Sequence, residues 1–144
     1  MVRASEHCTC SFIIRMVIKH PAVTMQEITD RLAVCPQHGH NVGEPRKTPK
    51  GRPLSGTNPE TFWSYAERIE DRRDFFTAAL EFLERLKAHA EFLKNIKTTG
   101  GVVALYIDLI NCTSIGDIIR PEQMSAFLEF GVDLGVEVFS GQHT

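Results

Sequence analysis

The stretch from Val102 to Asn111, VVALYIDLIN, constrains the fold of this chain more than any other. It is apolar on both faces of an extended backbone, with Asp108 the one charged exception. Such a segment belongs inside a sheet, because at an edge or on an open face water would meet an almost unbroken apolar surface. Gly100-Gly101 precedes it and stops any helix arriving from the N-terminal side. A second extended segment, residues 10–19, alternates: Phe12, Ile14, Met16 and Ile18 take one face, and Ile13, Arg15, Val17 and Lys19 the other. It reads as a strand with one dry and one mixed face. Thr61–Ile69, TFWSYAERI, is a third strand with Trp63, Tyr65 and Ile69 on a common face, and Val136–Ser140 is a closing one.

Helical signals fall between these strands. After His20-Pro21, Thr24 offers its hydroxyl as a cap, Glu27 closes a capping box and Val23 can staple onto Ile28, which predicts a helix from Met25 to about Val34. Its apolar stripe is Met25, Ile28 and Leu32. A longer helical pattern starts at Asp71 or Asp74 and runs through Phe76, Leu80, Leu83, Ala90 and Leu93, with a break near Ala88 to Ala90. Pro121 suits the first turn of a third helix, whose stripe Met124, Phe127, Leu128 and Leu134 is closed by Gly135 in the left-handed conformation. From Pro36 to Pro59 the chain reads as a long loop with room for one short strand near His40 to Pro45, since five of the seven prolines fall there and only Val42 and Leu54 are aliphatic. The element order predicts a two-layer α+β sandwich: a mainly antiparallel sheet of four to five strands with helices on one face, an elaborated ferredoxin-like arrangement. The 144 residues suit one domain over residues 10–141, with 1–9 and 142–144 as tails.

A net charge of −2 excludes the strong basic field that non-specific nucleic-acid binding requires. The N-terminus lacks a hydrophobic signal core, and Phe12–Ile18 is too short and is broken by Arg15, so neither export nor a membrane span is expected. A cytoplasmic protein with its four cysteines reduced follows from this reading.

Leu32, Pro36, Gly43 and Trp63 then form a recognisable series: a capped helix ending in Leu-x-x-x-Pro, a glycine seven residues after that proline, and a strand bearing Trp. Together with the long amphipathic helix and the closing strand after Leu134-Gly135, the chain resembles the bacterial family called domain of unknown function 4279 over most of residues 10–140. It departs from that family at Gln37, where Thr is frequent, and in the His- and Pro-rich segment that follows. The resemblance implies a bacterial α+β domain with no established activity, some members of which sit near toxin and immunity genes.

The candidate sites are few. A helix packed antiparallel on the first strand would return Cys35 to the region of Cys8 and Cys10, and with His38 or His40 these would supply the thiolate and imidazole ligands that zinc prefers. The spacings match no known finger or ribbon, Cys10 shares the parity of Phe12, and a free cysteine packs readily as a small hydrophobe, so core thiols and loop imidazoles are the expected reading, with no metal or cofactor. Arg46, Lys47, Lys50 and Arg52 form a basic run, but no aromatic residue interleaves with it, and without those four charges the chain carries −6 (−2 minus +4), so a solvated loop is expected. Cys112 and Asp108 are the two positions on which catalysis could be built; neither has a companion set in the sequence, and no enzyme is expected. The mixed face of the sheet is different. Ile13, Val17, Val102, Tyr106 and Ile110, with Ala104, are too apolar for water, so this face is expected to be covered by the Pro-rich loop or by another chain, most simply in a homodimer. The expected function is therefore a non-catalytic protein-interaction or immunity-type module, with metal or small-ligand binding in the Cys35 to His40 loop as the alternative.

Overall fold

In the computed structural model, which describes residues 11–140, β1 (Ser11–His20) runs through the middle of a five-stranded sheet. β5 (Thr61–Ile69) and β6 (Val102–Ile110) flank it antiparallel, pairing Ile18 with Trp63 on one side and with Val103 on the other. β7 (Asp133–Phe139) adds parallel to β6, and β2 (His38–His40) adds antiparallel to β5, giving the order β2-β5-β1-β6-β7. The doubly apolar β6 thus lies inside the sheet, as its composition demanded. α1 (Met25–Leu32) packs on β5, α2 (Phe75–Arg85) on β1 and β6, and α3 (Ala90–Thr98) on β6, while α4 (Pro121–Phe130) lies against α2 and α3. All bury one face of the sheet, where Phe12, Ile14, Met16, Ile18, Val103, Leu105 and Ile107 have at most 1% of their surface exposed. This is the expected α+β class, with the parallel pair β6–β7 made possible by the α4 crossover.

Local chemistry sets the helix ends. The Thr24 hydroxyl accepts from Glu27 N at 3.2 Å while the Glu27 carboxylate accepts from Thr24 N at 3.4 Å, the capping box read from the sequence. Thr24→Ala is expected to cost about 1 kcal/mol, measurable by urea denaturation. Ala33 ends α1 in the left-handed conformation and donates to the Thr29 carbonyl at 2.8 Å. α2 starts after Asp74, whose carboxylate is held by Arg72 and drawn below its ordinary range by that hydrogen bond. The first-turn amide of Phe76 instead donates to Asp117 at 3.0 Å. A 3-10 turn, Lys87–His89, separates α2 from α3 at the expected break.

Three expectations change. The Pro36–Pro59 segment holds three strands: β2, then β3 (Pro45–Lys47) and β4 (Pro53–Thr57), which among the described residues pair only with each other as a hairpin arm. β2 is the polar tripeptide His-Gly-His, a poor strand former, and it is drafted by the otherwise unpaired edge of β5. Gln37 N reaches the Ser64 carbonyl at 2.8 Å and Gln37 Nε2 the Ala66 carbonyl at 2.9 Å, extending that attachment. The third helix stops earlier than its stripe suggested: Gly131 (φ 70°), not Gly135, is its left-handed cap, and Leu134 and Gly135 already belong to β7. Both glycines satisfy the local rule for a C-cap; pairing with β6, which begins at Ala104 opposite Asp133, selects the first. Finally, the reduced-thiol reading is corrected at Cys112, which is disulfide-bonded, whereas Cys35 is free. Among the described residues no helix is long and apolar enough to cross a membrane.

Candidate functional site

The joint after α1 brings His38 and His40 to the sheet edge. Register places them opposite Ser64 and Phe62, on the face away from the helices, and places Gly39 opposite the core residue Trp63. A side chain at Gly39 would collide with the Phe62 carbonyl and with the Met25 Cε methyl, 2.5 Å away, so the bare backbone is what lets α1 lay Met25 against this edge. Asn41 then ties the loop to the helix, its Oδ1 accepting from Met25 N at 2.7 Å. The expected structural joint is therefore present in detail. Between β2 and the β3–β4 arm lies a cleft of about 740 Å³, lined by His38, His40 and Phe62 on the sheet side and by Glu44, Pro45 and Lys47 on the arm. The His40 ring stands 5.8 Å from that of Phe62, and its Nδ1 is buried with no hydrogen-bond partner.

The metal candidates separate. Cys35 is exposed, His38 is exposed and His40 is half-buried, and among the described residues no three His, Cys, Asp or Glu side chains stand close enough to hold an ion. Cys8 and Cys10 lie outside the described residues. Cys112 is not a thiolate nucleophile while it is disulfide-bonded. Arg46, Lys47, Lys50 and Arg52 all lie exposed on the hairpin arm, where Arg46 donates to the Ser55 carbonyl at 3.2 Å.

Asp108 proves to be a buried carboxylate with a cation of its own. It lies on the mixed face, as its parity requires, yet only 5% of its surface is exposed. Arg15, one strand away, grips it with two hydrogen bonds, Nε to Oδ2 at 2.8 Å and Nη2 to Oδ1 at 3.1 Å. The same guanidinium reaches Glu137 at 3.0 Å and stacks 4.5 Å from the centre of the Tyr106 ring. That ring covers the backbone of Gly135, where an added Cβ would sit 2.7 Å from it. The hydrogen bond to Asp108 raises the pKa of Arg15, against the opposing effect of burial. The guanidinium takes one lone pair of each carboxylate oxygen, the geometry of a bidentate ion pair. Both partners were visible in the sequence at matching parity, and pairing them needed only the β1–β6 register.

This fork also fills the centre of the face expected to bind a partner. Val17 is only 4% exposed, Ile13, Tyr106 and Ile110 are half-buried, and Val102 alone of the five is open, at 42%. Other exposed apolar side chains lie on β7 and on α4. Val136, Val138 and Phe139 on β7 are 45%, 67% and 46% exposed, and Met124 and Leu128, one turn apart on α4, are 48% and 83% exposed. Val136 and Val138 share the helix-bearing face, being opposite Ile107 and Leu109, but no helix covers them. Sequence reasoning missed this surface because an alternating apolar strand looks the same whether or not another strand follows it in the sheet. No family model, curated protein or solved structure matches the chain.

Proposed function

We propose that this protein is a non-catalytic protein-interaction or immunity-type module and that it engages its partner through the β7–α4 margin. The observation that supports this is a seven-residue strand whose outer edge is unpaired among the described residues and which carries exposed Val136 and Val138. Long, flat, apolar edges template pairing with another chain, and proteins that stay alone usually blunt them with charge, proline or a covering loop. Here the only charged residues on β7 are Asp133 and Glu137, both on the opposite face, and Glu137 is already engaged by Arg15. A photo-crosslinking side chain placed at position 138 in the producing cells is expected to give a covalent adduct, whereas the same probe at exposed Lys87 on the 3-10 turn gives none. Absence of any adduct from position 138 would defeat the proposal.

A second reading, capture of a metal or small ligand in the cleft beneath the hairpin arm, is favoured by the unpartnered Nδ1 of His40. His38 and His40 project from the same face of β2 and could present two imidazoles to a zinc ion. On that reading, calorimetric titration with Zn²⁺ shows one site in the wild type and none in His40→Ala; equal behaviour of the two proteins would remove it.

A further inference from the structure

We propose that the margin is occupied by a second copy of this chain, with β7 of one protomer pairing antiparallel to β7 of the other about a twofold axis at Val136. This rests on the reading of that margin as the interaction surface. Asn111 N donates to the Phe139 carbonyl at 2.9 Å, so the backbone groups of Phe139 face β6. Along a strand these groups alternate from side to side, so those of Leu134, Val136 and Val138 point away from the sheet with nothing in the described chain to receive them.

A twofold axis at Val136 satisfies all three residues at once. Val136 meets its own copy, Leu134 meets Val138 and Val138 meets Leu134, each as a hydrogen-bonded pair with aliphatic side chains on the helix-bearing face. On the other face Glu137 falls opposite Gly135, and Asp133 opposite Phe139. Moving the axis by one residue brings like charges together: at Gly135 it opposes Asp133 to Glu137, and at Glu137 it opposes that carboxylate to itself. The seven residues are therefore self-complementary in one full-length register. The remaining edge, β2, has only three residues, so head-to-tail pairing of β7 onto β2 would leave most of β7 unpaired. A closed, isologous dimer follows.

Sedimentation equilibrium of the full chain is expected to give twice the 16.2 kDa of one copy. Val138→Lys is expected to weaken the dimer roughly hundredfold without changing the circular dichroism, because Val138 is already 67% exposed in the single chain. Register is checked in a Cys35→Ser background by mixing Asp133→Cys and Phe139→Cys chains. These positions face each other in a non-hydrogen-bonded pair, close enough for a disulfide, so oxidation of the mixture should give a disulfide-linked peptide joining positions 133 and 139, and neither variant alone should give it. A wild-type mass of one chain overturns the proposal, as does the absence of the 133–139 linked peptide from the oxidised mixture. If the probe at position 138 captures a different protein while the pure chain sediments as one copy, the second-copy inference falls and the margin remains an interaction surface; capture of nothing defeats both.

Discussion

Trp63→Ala is expected to lower the free energy of unfolding by about 4 kcal/mol, read from the midpoint of a urea transition with an unchanged slope. Trp63 is fully buried at the point where β5, β1 and α1 converge, paired across the sheet with Ile18. Its indole Nε1 donates to the Thr29 hydroxyl at 3.1 Å, so the ring joins the sheet to α1 by packing and by a hydrogen bond. The alanine variant would leave a ring-sized cavity that the surrounding strands cannot collapse to fill, and the Thr29 hydroxyl would lose its donor. Trp63→Phe separates the two effects: it keeps most of the volume and should cost about 1.5 kcal/mol. If the two variants were equally damaging, the hydrogen bond to Thr29 rather than the packing would dominate.

Removing the cation from the buried pair is the second large effect. Arg15→Met is expected to destabilise by about 3 kcal/mol, because Asp108 stays buried without its counter-charge. The side chains of Arg15 and Asp108 are 28% and 8% exposed, so solvent screens the carboxylate poorly once the guanidinium is gone. Arg15→Met combined with Asp108→Leu should recover to within about 1 kcal/mol of wild type, since an apolar pair of similar volume meets no desolvation penalty. Glu137, whose side chain is 46% exposed, can be left to water in both variants. A double variant as unstable as the single one would mean that the pair's geometry, including the Tyr106 stack, is needed for packing in its own right. A single variant costing less than about 0.5 kcal/mol would mean that the pair behaves as an ordinary surface ion pair.

The candidate interaction surface shows where local reasoning stops. Apolar residues at alternating positions told that Ile13, Val17 and Tyr106 share a face and that this face needs cover. They could not tell that Arg15 would reach from β1 to Asp108 and Glu137 and lie over Tyr106, because that depends on pairings between residues 93 and 122 positions apart. The exposure of Val136 and Val138 was hidden for the same reason. Nothing within Asp133–Phe139 distinguishes an edge strand from an interior one; the distinction is that no strand among the described residues lies beyond it. In the His-rich joint, Pro36 and Gly43 were readable as the end of a helix and a turn, whereas the cleft exists only because the hairpin arm stands opposite β2.

The amino-acid sequence by itself determined the α+β class, the capped start of α1, the break between α2 and α3, and the burial of β6 on both sides, because each follows from short-range periodicity or from a few neighbouring residues. Only the tertiary structure decided that β7 runs parallel to β6, that Gly131 rather than Gly135 closes α4, that a His-Gly-His tripeptide becomes a strand, and that Asp108 is neutralised by Arg15. These outcomes rest on which edges remain unpaired once the central strands have assembled. Unsatisfied backbone groups and uncompensated charges are settled by whichever distant segment can reach them, and local pattern carries no record of that choice.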